Sequence, residues 1–162
     1  MSDEDTTVDL KDTITNWLLE EGFTIKEIDD PQAIFNYFAE DEQKRNVNVI
    51  QNWKKPTQIV IGTNAAFPEE ILLKIQRMDE KERKDFFWKL RFGLLQMNVG
   101  FGGIELPFEK IRLISNLWLD NLSKDVFMRR MFDVRKALLY VFWTFERKFG
   151  PVKPGSKYPA LI

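Results

Sequence analysis

Apolar residues recur along this chain with two different periods, and the changes of period divide it into elements. Leu10, Ile14, Trp17 and Leu18 stand at i, i+4, i+7 and i+8, one stripe that predicts an N-terminal helix. Thr6 or Thr7 is placed to cap it, Asp9 suits the positive end of its dipole, and Gly22 marks its stop. From Phe23 the period falls to two. Phe23 and Ile25 alternate with Thr24 and Lys26, and Asp29-Asp30-Pro31 reads as a turn. Between Ala33 and Ala39, Phe35 and Tyr37 share one face, Ile34 and Phe38 the other. The charged run from Glu40 to Asn46 reads as an exposed hairpin loop and Val47, Val49 and Ile50 as a third strand. Gln58 to Gly62, apolar on both faces, reads as a central strand.

Helical spacing returns after Pro68, which suits a first helical position with Glu69 and Glu70 behind it. Ile71, Leu72, Ile75 and Met78 carry it forward, and Phe86, Phe87, Leu90, Leu94 and Met97 continue it beyond Asp79-x-x-Glu82, a capping-box pattern. Gly100, Gly102 and Gly103 end this segment. Phe101 to Leu106 and Ile111 to Leu119 then read as two strands around Pro107. Ser123 caps a long final helix that Gly150-Pro151 stops after Phe149. The expected fold is α+β: an antiparallel sheet of five to six strands flanked by an N-terminal helix, a middle helical segment and a long C-terminal helix, in the order α-β-β-β-(β)-α-β-β-α. One domain over 8–149 is expected, between a flexible N-terminus at 1–7 and an extended tail at 150–162.

The final helix carries more apolar surface than one sheet can cover. Phe127, Met131, Val134, Leu138, Val141 and Phe145 form one seam, and Met128, Phe132, Leu139 and Phe142 a second beside it, with Trp143 beyond. At about 100° per residue these positions span roughly 240°, whereas a helix lying on a sheet needs little more than about 100°. Either another helix of the same domain, the first being the leading choice, covers the excess, or a second copy or a partner does. Met128, Phe132, Arg135, Leu139, Phe142 and Trp143 are the candidate partner surface. Arg130, Arg135 and Glu146 fall inside or beside the arc, where they can pair across an interface.

Composition narrows the chemistry. The chain has 162 residues, near the size of one domain, and its aromatic share of 14% suggests a bulky core or an apolar contact surface. Net charge is −1 and the basic residues are scattered, which leaves no concentrated field for nucleic acid. There is neither cysteine nor histidine. Thiolate catalysis and zinc–thiolate sites are thereby excluded, and the commonest general base and metal ligand are missing. The acidic pairs Asp29-Asp30, Glu40 to Glu42 and Glu69-Glu70 sit at turns or a helix start and match no calcium-loop spacing. The glycine-rich run Asn98 to Ile104 follows a helix instead of opening one and lacks the Lys-Ser/Thr of a phosphate loop. No catalytic residue, cofactor or metal ligand is assigned. The polar, acidic start is unlike a signal peptide, and no apolar run approaches the roughly 20 residues that span a bilayer, so the expected location is cytoplasmic.

The order of elements resembles the type III secretion chaperone-like fold, and within it the YbjN-like proteins. The residues that carry the resemblance are Pro68-Glu69-Glu70 leading from strand to helix, the Phe/Leu-rich helix that ends at Asn98-Val-Gly-Phe-Gly, and the run Ile111 to Ser123 into the final helix. The resemblance covers about residues 8–149. It implies a small non-enzymatic cytoplasmic protein, often a homodimer, whose chaperone members bind an extended client segment along apolar surface. The charged stretch 79–85 and the proline-rich tail depart from the chaperones. The expected function is a homodimeric protein- or peptide-binding module, with no nucleic acid or membrane partner. The alternative is a small-ligand or carboxylate-metal enzyme using a cleft beside residues 80–98.

Overall fold

The computed structural model describes residues 3–151, with side chains from residue 9 onward. The elements are α1 (Asp3–Glu20), β1 (Thr24–Glu27), β2 (Ala33–Glu40), β3 (Asn46–Asn52), β4 (Gln58–Ala66), α2 (Glu69–Arg77), α3 (Glu80–Leu95), β5 (Gly100–Gly102), β6 (Lys110–Trp118) and α4 (Lys124–Phe149). All six strands form one antiparallel sheet in the order β1-β2-β3-β4-β6-β5. The expected α+β fold, with its flanking helices and long last helix, is the one observed.

Several boundaries differ from expectation. The first helix begins at Asp3, so Thr6 and Thr7 lie inside it and not at its cap. At its end Phe23 N–H donates to Leu18 O and Gly22 N–H to Leu19 O, the paired bonds of a Schellman stop. The strand expected from Phe101 to Leu106 is only three residues long, because the chain turns away at Gly103, whose φ is +94°. Asp79 precedes α3 without a side-chain capping bond, so the capping-box pattern there forms no box. Ser123 caps α4 as expected, accepting from Val126 N–H at 3.2 Å. The tail expected to be extended falls outside the described residues beyond Pro151.

One face of the sheet makes the core. Ile59, Ile61 and Ala65 of β4 and Ile111, Leu113 and Leu117 of β6 are buried together with Ile14 and Leu18 of α1, Ile71 and Ile75 of α2, and the inner faces of α3 and α4. The opposite face carries Ile50 and Val60, paired across β3 and β4, and Ile114 on β6 opposite Gly62, all only half-buried. Among the described residues no helix covers it. The β1–β4 meander is local in sequence. β6 comes to lie beside β4 only after α2 and α3 have crossed over, so the helices collect on the core side.

The excess apolar arc of α4 is covered chiefly by α3 and by loops, not by α1. Phe67, Phe86 and Phe108 stack around Phe145, the first with ring centroids 4.0 Å apart. α1 meets α4 near the start of α4, through Trp17 against Phe127, and Lys124 bonds to Glu20 and to Glu21 just beyond α1. α3 runs antiparallel along α4. Glu82 pairs with Lys148 at 2.6 Å, Phe86 meets Phe145, Tyr140 hydroxyl donates to Lys89 O at 3.1 Å, and Asn98 donates to Asp133. Gly93 permits this approach: a Cβ there would lie 1.8 Å from the Tyr140 hydroxyl.

Candidate functional site

The structure divides the candidate partner surface on α4. Phe132 and Trp143 are 58% and 52% exposed. Met128, Leu139 and Arg135 are half-buried. Phe142 is buried at 4% and meets Phe67 edge-on, so it belongs to the core and leaves the surface. The physical reason is angular. Phe142 lies on the side of α4 that turns toward the sheet end, whereas Phe132 and Trp143 point away from the sheet.

Arg135 is committed within the chain. It bonds Asp41 Oδ2 at 2.5 Å, and Arg45 Nε reaches the same oxygen at 3.0 Å. The Arg135 guanidinium also lies over the Phe23 ring, 5.5 Å from its centroid. Burial, followed by the neighbouring Arg45 charge, pushes Arg135 below the usual arginine range, and Asp41 opposes both. A single carboxylate thus holds two guanidiniums and ties the β2–β3 turn to the middle of α4. The turn expected to be a merely exposed loop is therefore anchored. The expected pairing of Arg135 across an interface is corrected to a pairing inside the molecule.

The acidic pairs singled out in the sequence are engaged locally. Asp30 is used locally, accepting from Gln32 N–H and Asn36 Nδ2. Glu40 pairs with Lys44 and Glu70 with Lys74 along their own elements. No group of three acidic residues placed to hold a metal occurs among the described residues.

What the structure adds is on α3. Phe86, Phe87, Leu90 and Leu94 face the core, while Trp88, Phe92 and Leu95 point outward, 51%, 58% and 69% exposed. They stand at i, i+4 and i+7, one stripe. Trp88 and Phe92 stack at 5.5 Å, and Arg91 lies over the Trp88 ring at 4.9 Å. The antiparallel register sets Trp88 level with Trp143, and Phe92 level with Leu139. Five of the ten large apolar side chains exposed among the described residues therefore share the outer face of the α3–α4 pair. The signal was present in the sequence. Trp88, Phe92 and Leu95 fall between the core positions of α3, so the second half of this helix carries apolar residues on its outer as well as its inner side. Its outer half is passed over when only the buried stripe is followed.

These features define an antiparallel-sheet α+β domain with an uncovered, aromatic helical face. The chain belongs to the family described as "Uncharacterized conserved protein (DUF2299)", whose model matches residues 10–145. It is similar to an uncharacterized protein from Methanothermobacter thermautotrophicus, known from a crystal structure: identity is 29%, the TM-score 0.81, and the match covers 86% of this chain and 99% of that one. No curated protein matches the chain. No helix among the described residues is long and apolar enough to cross a membrane.

Proposed function

We propose that this protein is a non-enzymatic binding module that engages a protein or peptide segment through the outer face of α3 and α4. The observation that carries the reading is the exposure of Trp88, Phe92 and Leu95 on α3 and of Phe132 and Trp143 on α4, all on the sides of these helices turned away from the core. Keeping large aromatic residues in water forgoes about 2 kcal/mol of burial for each, and contiguous patches of this kind mark contact sites. Interface hot spots are likewise rich in tryptophan and other aromatics. The cytoplasmic location and the chaperone-like character expected from the sequence belong to the same proposal.

Affinity capture from the source organism's extract tests it. The wild-type protein is expected to retain specific proteins that a Phe92→Lys/Trp143→Lys variant loses. Trp53→Lys, a change at an exposed tryptophan in the β3–β4 turn, should leave capture intact. Equal retention by wild type and the double variant sinks the reading.

Self-association is a second reading, and it falls on a different surface. The uncovered sheet face carries Ile50 and Val60, paired on β3 and β4, and Ile114 on the neighbouring β6, with Asn116 opposite Val60 and Arg112 at the margin of the three. A two-fold pair of such faces meets apolar against apolar. In sedimentation velocity the wild type is expected to run as a dimer and Val60→Lys as a monomer. A wild type that stays monomeric at every concentration ends this reading.

A further inference from the structure

The outer face of α3 and α4 is positively charged as well as apolar, although the whole chain carries −1. Lys81, Lys89, Lys136 and Arg147 are exposed beside the aromatic stripe, and no carboxylate pairs with them among the described residues. Arg91 and Lys136 each stand over an exposed ring of their own helix: Arg91 is 4.9 Å from the Trp88 ring and Lys136 is 5.7 Å from the Phe132 ring. Asp85 is the one acid of α3 that turns outward with them and has no partner within the described residues. Cations thus edge a strip of exposed aromatics, and a shallow depression of about 410 Å³ opens around Trp88 among Glu80, Lys81, Lys84 and Asp85, in which Glu80 takes up Lys84 and leaves Lys81 unpaired.

We infer that the occupant of this face is an acidic amphipathic helix from another protein: a segment with apolar residues at i, i+4 and i+7, flanked by Asp or Glu. The inference rests on the binding-module reading and adds the chemistry of the partner. The stripe of Trp88, Phe92 and Leu95 along α3 offers a ridge against which one apolar face of a helix packs, and its 88, 92, 95 spacing matches the apolar stripe of such a segment. The unpaired cations supply the complementary charge at its edges. The same charges oppose a second copy on this face, since two basic surfaces would then meet. An extended nucleic acid strand would satisfy the cations but leave Leu95 and much of Phe92 without apolar cover.

The test uses the full-length protein and two labelled synthetic peptides with one leucine stripe, flanked by glutamate in one and by lysine in the other. Fluorescence anisotropy is expected to show the glutamate peptide bound at least about tenfold more tightly, with the preference shrinking as salt is raised. Lys89→Glu/Lys136→Glu, a reversal at two exposed positions, should remove that preference while leaving circular dichroism unchanged. Equal affinity for both peptides, abolished by Phe92→Lys, overturns the acidic assignment and leaves the binding-module reading standing. No binding of the glutamate peptide also overturns the assignment, and the capture experiment then decides the broader reading separately. Tighter binding of phosphatidylglycerol vesicles or of an oligothymidylate than of the glutamate peptide overturns it in favour of a lipid surface or a nucleic acid.

Discussion

Phe145→Ala is expected to lower the free energy of unfolding by about 4 kcal/mol, near the top of the range for buried aromatic truncations. Phe145 has no exposure, and its ring meets Phe67 at 4.0 Å, Phe86 at 5.1 Å, Phe108 at 5.8 Å and Phe149 at 5.8 Å. Those partners come from four places: the residue after β4, the middle of α3, the loop before β6, and the last turn of α4. Removing the central ring leaves a hole walled by separate pieces of backbone, and they cannot all move inward together. Collapse is therefore partial and the cavity cost remains. Urea denaturation checks this through a fall in midpoint at constant slope. For a chain of this size the melting temperature should drop by roughly 8–16 °C. Phe145→Leu, which keeps much of the volume, should cost less than half as much. A loss below about 1 kcal/mol for the alanine variant would show that the aromatic cluster is not the centre of the core.

Gly103→Ala is expected to cost about 3 kcal/mol, combining the penalty of a left-handed backbone with a direct clash. The φ of Gly103 is +94°, and a Cβ there would lie 2.2 Å from the carbonyl oxygen of Lys110, the first residue of β6. The obstacle is backbone, so a rotamer change cannot relieve it. Either β6 shifts against β4, with which it pairs along its whole length, or the three-residue β5 separates from the sheet edge. The second is cheaper, and hydrogen exchange at residues 100–102 should accelerate more than elsewhere. Gly22→Ala is the control. Its φ is +83°, but nothing lies within 4 Å of a Cβ there, so only the backbone term of about 1 kcal/mol applies. Equal losses in the two variants would count against the clash.

The elements legible in the sequence are those whose signals are local. The 4-3 spacing of α4, the Ser123 cap, the Gly22 stop and the period-two strands of the meander each report contacts within one element or between neighbours in sequence. The three-residue β5 was overestimated because an apolar run after glycines resembles a longer strand. Nothing local reveals that Gly103 is pinned against Lys110 O. The candidate site was legible in part. Phe132 and Trp143 reach the surface as the wheel suggests, but Phe142 does not, and Trp88, Phe92 and Leu95 joined the surface from another helix.

By itself the sequence determined the α+β class, the order of its elements, and a chemistry without thiol or imidazole. It also determined that α4 is apolar over a wider arc than one sheet covers. The tertiary structure decided which neighbour takes up that excess. Periodicity measures the angular width of an apolar face, while the identity of what covers it depends on contacts between residues far apart in sequence. Tyr140 against Gly93, Lys148 with Glu82 and Arg135 with Asp41 place α3 and the β2–β3 turn against α4. That docking buries Phe142 with the core and turns Trp88, Phe92, Phe132 and Trp143 outward as one surface.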